Sequence, residues 1–251
     1  MNQEVVISII IATYNAEKTL QKCLGSIIPQ LTEQTELIIV DGASKDSTNE
    51  IISFNKKNVA YTISEPDKGI YDAWNKGINV ARGKWIAFIG ADDILLPDAI
   101  DNYLRFIRNT NDIDSYDYIC AHVEYVDKSG KLLKVLGMEP QWCNMRKFMA
   151  PAHVASLHNK KNLFEMIGDY DFQNYRICAD YELLLRKKDK LKYIMLPTHI
   201  AQMEIGGMSF STKAIKETFL IRRKHHTVSL FFNVLLFIKD WVAYKSFLLR
   251  H

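Results

Sequence analysis

Apolar residues in the first hundred positions fall into short unbroken runs, separated by longer stretches with helical spacing. Residues 5–13 (VVISIIIAT) and 36–40 (ELIIV) are β-branched runs without a turn residue, which suits strands buried on both faces of a parallel sheet. Tyr14-Asn15 breaks the first run, and Leu20, Leu24, Ile27, Ile28 and Leu31 then share one helical stripe. Ser47 and Glu50 have the spacing of a capping box for the next helix, and residues 59–64 form a weaker third strand. Pro66 and Gly69 punctuate a loop. A helix from Tyr71 follows, with Ala73, Trp74, Gly77, Ile78 and Ala81 on one face and Asp72, Asn75, Lys76 and Asn79 on the other. The small Gly77 and Ala81 let this helix lie close to a sheet, and its polar face turns either toward the strand ends or into solvent. A fourth run, WIAFI at 85–89, precedes a helix opened by Pro97 and Asp98, with Ala99, Ile100, Tyr103, Leu104 and Ile107 on its stripe. This alternation predicts an α/β fold of right-handed βαβ units, a mostly parallel, Rossmann-like sheet with helices on both faces.

The pattern changes after residue 110. Residues 116–126 and 131–136 flank Asp127-Lys128-Ser129-Gly130, a hairpin signal, so this half is mixed or antiparallel. Residues 151–157 make a short strand carrying His153, and a lone histidine is more often structural than catalytic. A loop at 168–172, a helix start at 179–186, a strand at 191–196 and a tight loop at Gly206-Gly207-Met208-Ser209 complete the body. The chain thus divides into a body at 1–212, parallel in pattern to about 110 and mixed from about 111, and a tail at 213–251.

The fourth strand runs into two adjacent carboxylates, Asp92 and Asp93. Paired acids at a strand end repel one another, but they suit a divalent cation, which takes hard oxygen ligands. Open α/β sheets also collect ligands at the carboxyl ends of their strands. The alternative is a turn in which these acids bond local backbone. Two readings likewise fit Asp180: a helix N-cap, or a base whose ionised form the helix dipole favours. The dinucleotide fingerprint G-x-G-x-x-G is absent, and the Gly77 to Gly83-Lys84 spacing is one residue too long for a P-loop.

Composition narrows the class. Four separated cysteines (Cys23, Cys120, Cys143, Cys178) without a C-x-x-C pair argue against zinc ribbon, redox motif or disulfide framework and point to a reducing, cytoplasmic setting. The N-terminus lacks the features of a signal peptide, and no apolar run is long enough to span a bilayer. Within a net charge of +3, residues from Lys213 onward hold eight Lys/Arg and two Asp/Glu, which leaves the first 212 residues at −3. The tail carries the cluster Arg222-Arg223-Lys224-His225-His226 and an apolar run from Val228 to Ile238, flanked by Lys239, Trp241, Tyr244, Lys245 and Arg250. Such a segment lies on an anionic membrane surface, or it packs on the domain or on a second copy of the chain. It is not an extended basic stripe, and no recognition motif accompanies it, which excludes nucleic acid as a partner.

Five segments, SIIIATYNAEKTL, ELIIVDGASKDST, SEPDKGIYDAWNKGI, GKWIAFIGADD and ADYELLLR, occur in the order and spacing seen in inverting glycosyltransferases of family 2. The resemblance spans roughly residues 5–209, and SEPDKGIYDAWNKG looks like the colanic-acid and O-antigen branch. It implies the GT-A nucleotide-sugar fold and transfer of one sugar from a nucleotide-diphosphate donor to a glycan or polyprenyl-linked acceptor in surface polysaccharide synthesis. By the same resemblance, Thr13, Tyr14, Asn15 and Glu17 meet base and ribose, and Asp41 hydrogen-bonds the base. Asp67, Lys68 and Gly69, with Asp72 and Asn75, close over nucleoside and diphosphate. Asp92 and Asp93 hold Mg²⁺ or Mn²⁺, Asp92 also facing the donor, and Asp180 is the catalytic base, with Arg186 following at the family's spacing. Gly90 replaces the first acid of the Asp-Ala-Asp-Asp found in many relatives. That loss keeps open a non-catalytic module holding nucleotide or glycan on the same fold. The Gln-x-x-Arg-Trp signature of processive synthases is absent.

Overall fold

The computed structural model describes residues 4–204 and 211–248. The tight loop expected at Gly206 to Ser209, and Arg250, lie outside them. Strand β1 (Ile7–Thr13) leads through helix α1 (Leu20–Ile27) to β2 (Thr35–Asp41), then through α2 (Thr48–Phe54) to β3 (Tyr61–Ser64), and through α3 (Ile70–Val80) to β4 (Trp85–Gly90). These four strands pair in parallel in the order β3-β2-β1-β4, so the carboxyl ends of β1, β2 and β4 open on one edge. The remaining elements are β5 (Ile94–Leu95), α4 (Ala99–Asn109), β6 (Tyr118–Val126), β7 (Leu132–Leu136), α5 (Trp142–Met145), β8 (Ser156–Asn159), α6 (Ala179–Leu185), β9 (Tyr193–Glu204), α7 (Thr212–Lys224) and α8 (Leu230–Leu248). They extend one nine-stranded sheet in the order β3-β2-β1-β4-β8-β6-β9-β5, with β7 added to β6. In this half β8 runs antiparallel to both β4 and β6, β7 is antiparallel to β6, and β6 and β9 are parallel.

Alternation along the strands divides the core in two. Ile7, Ile9, Ile11 and Ile89 pack under α1 and α4, whereas Ile10, Ile38, Val40 and Phe88 pack under α3 and α6. The helix α3 lies against the sheet because Gly77 has no side chain: a Cβ there would sit 2.5 Å from Ile10 Cγ2. Helix α7 joins the second cluster through the fully buried Ile221. Its Arg222 is 1% exposed, donates to the Lys147 carbonyl at 2.6 Å and pairs with Asp240 of α8 at 3.5 Å.

Several local expectations are corrected. The α1 stripe does not run to Leu31: after Ile27 the chain tightens to a 3₁₀ turn over Ile28–Gln30, where Pro29 cannot donate to a continuing α-helix. Ser47 caps no helical N–H. Asp46 does that work instead, accepting from the Thr48 amide at 3.1 Å and hydroxyl at 2.6 Å. Asp98 opens α4 as its N-cap, its carbonyl accepting from the Asn102 amide at 2.8 Å, but Pro97 stays outside the helix, because the Leu96 amide still bonds the Ile200 carbonyl of β9 at 2.8 Å and keeps the chain extended up to that point. His153 precedes β8 rather than riding on it, since the Ser156 hydroxyl bonds back to the Ala152 carbonyl at 2.6 Å and turns the chain there. The strand expected at 191–196 continues as the twelve-residue β9.

Candidate active site

A cleft of about 490 Å³ opens where β1 and β4 end, bordered by Thr13, Tyr14, Asn15, Asp67, Gly69 and Asp92. The β1 exit turns at Asn15, which holds a left-handed φ of 48° that asparagine tolerates. Its amide donates to Ser44 Oγ at 2.8 Å and its side-chain oxygen accepts from the Lys45 amide at 2.9 Å, locking this loop to the one after β2. Glu17 adds a third tie, accepting from the Ser47 amide at 3.1 Å. Tyr14 is left 63% exposed at the cleft mouth.

Asp41, at the end of β2, does not line the cleft: it is fully buried. Its carboxylate accepts from the Thr13 hydroxyl at 3.0 Å, the Ser44 amide at 3.0 Å, the Ser64 hydroxyl at 2.8 Å and the Ser44 hydroxyl. Burial alone would raise its pKa, but these donors outweigh that and hold it below the ordinary carboxylate value. In this conformation Asp41 organises the loops that shape the cleft and offers no free oxygen to a base.

The segment expected to close over the diphosphate splits in two. Asp67 and Gly69 line the cleft, Asp67 accepting from the Gly69 amide at 2.8 Å. Gly42 leaves room for that carboxylate, since a Cβ there would meet Asp67 Oδ2 at 2.5 Å. Asp72 accepts from the Lys68 amide at 2.8 Å, and the Lys68 ammonium stands 6.0 Å from the Phe172 ring centre. Asn75 corrects the expected polar face. It is 7% exposed and clamps the Tyr170 backbone, donating to its carbonyl at 2.9 Å and accepting from its amide at 3.1 Å. Helical spacing cannot reveal such a partner, which lies 95 residues away.

Asp92 lines the cleft and Asp93 stands behind it, 5% exposed, accepting from the Gly90 amide at 2.8 Å. Burial, then the charge of Asp92, push the Asp93 carboxyl up to about 8. Gly90 has a physical role here. A Cβ at that position would lie 2.7 Å from Asp93 Oδ2 and 2.8 Å from Asp92 Oδ1, so both carboxylates converge on the space the glycine leaves. Among the described residues no cluster of three or more His, Cys, Asp or Glu forms a metal cage. Two converging carboxylates beside an open cleft fit Mg²⁺ or Mn²⁺, which take one or two acids and complete their shell with phosphates and water.

Asp180 lies in the first turn of α6, but the N-cap is Cys178, so the capping role is not its own. The Tyr71 hydroxyl stands 2.8 Å from Asp180 Oδ1 and 2.6 Å from the Ile177 carbonyl. Tyr71 belongs to the first turn of α3, directly after the cleft-lining Gly69 and Ile70, so this contact ties Asp180 to the cleft's edge. A residue missed in the sequence, Glu217 of α7, holds the lead-in to α6. Its 5%-exposed carboxylate accepts from the amides of Arg176, Ile177 and Cys178 at 3.0, 2.8 and 2.9 Å. No local signal marks it, because its partners lie 39–41 residues away. Arg186 is structural, bonding Glu182 at 2.6 Å and the Ile167 carbonyl at 2.9 Å. His153 is structural too. It stacks on Trp74 at 4.7 Å with Nε2 3.1 Å from the Tyr170 hydroxyl, and burial lowers its pKa, keeping it neutral.

Comparison with known proteins identifies the family and the fold. The sequence profile described as "Glycosyl transferase family 2" matches residues 8–190. A PGL/p-HBAD biosynthesis glycosyltransferase of Mycobacterium bovis is 30% identical over 211 residues, covering 80% of this chain and 78% of that protein. Among solved structures, S. aureus TarS 1-349 in complex with UDP superposes with a TM-score of 0.69 at 13% identity, covering 94% of this chain and 71% of that one. This chain matches only 39% of the longer TarS chain. The mannosyltransferase PcManGT from Pyrobaculum calidifontis, in complex with GDP-Man and Mn²⁺, gives 0.63 at 13% identity, covering 96% and 75%. The fold is that of GT-A enzymes, a sheet parallel in its first half and mixed in its second, and the chain belongs to glycosyltransferase family 2.

Proposed function

We propose that this protein moves one sugar per encounter, with inversion, from a nucleotide-diphosphate sugar to a hydroxyl of a glycan or polyprenyl-linked acceptor, in building a bacterial surface polysaccharide such as O-antigen, capsule or exopolysaccharide. The observation that carries the reading is the Asp180 carboxylate held by Tyr71, the residue that directly follows Gly69 and Ile70 in the wall of a cleft bordered by Asp92 and Asp67. Thr13, Tyr14 and Asn15 bind the nucleoside, and Asp67 to Gly69 hold the donor from the opposite wall. Asp180 accepts the acceptor's hydroxyl proton as that oxygen bonds to the anomeric carbon. The bond from the anomeric carbon to the diphosphate breaks on the opposite face, and the nucleoside diphosphate departs with its electron pair. Asp92 with Asp93 would hold Mg²⁺ or Mn²⁺, which when bound neutralises charge on the leaving diphosphate. The one feature that favoured a non-catalytic module, the missing acid at position 90, has a packing explanation in the convergence of the two carboxylates.

The test is thermal stabilisation by UDP, GDP and their monophosphates, with and without Mn²⁺, since a ligand of the native state raises its melting temperature. One nucleoside diphosphate should stabilise the protein in a Mn²⁺-dependent way, and Asp92→Asn should lose most of that dependence. No response to any nucleotide by the folded protein would sink the reading.

The tail supports attachment to the inner face of the cell membrane. Along α8, Leu230, Phe231, Val234, Leu235, Ile238 and Val242 are all exposed, with Lys239 and Lys245 on the same helix. No helix among the described residues is long and apolar enough to cross a membrane. Phe231→Glu with Leu235→Glu should abolish co-sedimentation with anionic liposomes, and undiminished sedimentation would refute the attachment.

A further inference from the structure

Four residues before Asp180 stands Arg176, half-buried, on the segment that Glu217 pins by its backbone. Its guanidinium reaches the cleft wall: Nη1 lies 3.8 Å from where Gly69 would carry a Cβ, and Gly69 lines the cleft. Among the described residues this guanidinium makes no hydrogen bond and no ion pair, whereas three other cations of the fold are paired, and Lys68 beside Gly69 has only the Phe172 ring at 6.0 Å. Lys224 pairs with Asp171 and Glu182, Arg186 with Glu182, and Lys76 with Glu65. A half-buried guanidinium with no partner in the protein keeps its donors free for an anion that enters beside it. The cleft that Gly69 lines bears Asp67 and Asp92, so an anionic ligand entering there meets like charge and needs compensation on this wall as well as at the Asp92-Asp93 end.

We propose that Arg176 binds the diphosphate of the donor, forking onto the phosphate that carries the sugar and holding it as the anomeric C–O bond breaks. This rests on the transferase reading above and adds to it a residue no motif marked. A planar guanidinium suits two phosphate oxygens at once, which an ammonium does not. Negative charge on that phosphate grows toward the transition state, so the contact acts more on kcat than on donor KM. Arg176 and Asp180 share one backbone segment clamped by one carboxylate, so the leaving-group ligand and the base keep a fixed separation. Neither could be displaced without disturbing the other.

Arg176→Gln, Arg176→Lys and wild type are compared by thermal shift with UDP, UMP, GDP and GMP, and by steady-state transfer. For the nucleotide that stabilises wild type, Arg176→Gln should lose most of the diphosphate shift and keep the monophosphate shift. Its kcat should fall about a hundredfold or more, with a smaller change in donor KM. Arg176→Lys should recover part of both. Because the side chain bonds nothing in the protein, the unliganded melting temperature should not change. An Arg176→Gln variant with undiminished diphosphate shift and kcat overturns the inference while leaving the transferase reading intact. A variant whose only defect is acceptor KM also overturns it, assigning the guanidinium to the acceptor. A wild type that answers to no nucleoside diphosphate removes both.

Discussion

Asp180→Asn should lower kcat by about a hundred- to ten-thousandfold, the span general-base catalysis contributes. The substitution keeps the size of the side chain and an oxygen able to accept from the Tyr71 hydroxyl, now 2.8 Å from Asp180 Oδ1. What it removes is the ability to take a proton. Donor binding is left alone, because Asp180 does not border the cleft that would seat the nucleotide. The measurement is single-turnover transfer beside the nucleoside-diphosphate thermal shift. A collapse in rate with an unchanged shift assigns the base. A rate within a fewfold of wild type would show that the acceptor proton leaves by another route.

The largest stability effect is expected at Glu182. This carboxylate is 1% exposed and accepts from Arg186 at 2.6 and 2.9 Å, Lys224 at 3.0 Å and His225 at 2.9 Å. It joins α6 to the end of α7, while Glu217 joins α7 to the start of α6. Removing one side of a buried charge network costs about 3–5 kcal/mol, because the partner charges stay behind. Glu182→Gln belongs at the lower end, about 3 kcal/mol, since the Lys224 side chain is 45% exposed and water can recover it. For a chain of this length that lowers Tm by about 6–12 °C. Burial pushes the Glu182 pKa up, but the bonds from His225, Arg186 and Lys224 outweigh it and hold the carboxyl down to about 2, against an ordinary 4.5. A depressed folded-state pKa stabilises fully above the unfolded value and loses that contribution as pH falls through the folded one. The gap between wild type and Glu182→Gln should therefore be full at pH 7 and narrow between about 4.5 and 2. Urea melts at pH 7 and pH 3 check both arms. Equal stability at pH 7 would mean the cations are solvated without cost.

Both predictions concern α6 and α7, where short-range patterns say least. In the first half, the runs at residues 7–13, 35–41 and 85–90 are buried strands because β-branched residues without turn formers have one economical use, and the βαβ rule then orders them. Gly77 as a close-approach residue and the hairpin at Asp127 were legible for the same reason: each signal lies within a few residues of the feature it sets. The five segments also marked Asp180 and the paired acids as site candidates. They could not say how each side chain is used.

The sequence by itself determined the fold class, the parallel first half, the place of Asp92 and Asp93 at a strand end, and the family. Those follow from periodicity and spacing, which are local. Tertiary structure alone decided that Asp41 and Asn75 are spent inside the protein, since their partners include Thr13 and Tyr170, 28 and 95 residues distant. It alone turned Gly90 from a lost acid into the space two carboxylates share. It also brought Glu217 from the tail to the approach to Asp180 and left the Arg176 guanidinium beside the cleft-lining Gly69 without a partner in the protein. A side chain's chemical availability depends on which distant donors and acceptors meet it when the sheet closes, and one-dimensional spacing carries no record of those meetings.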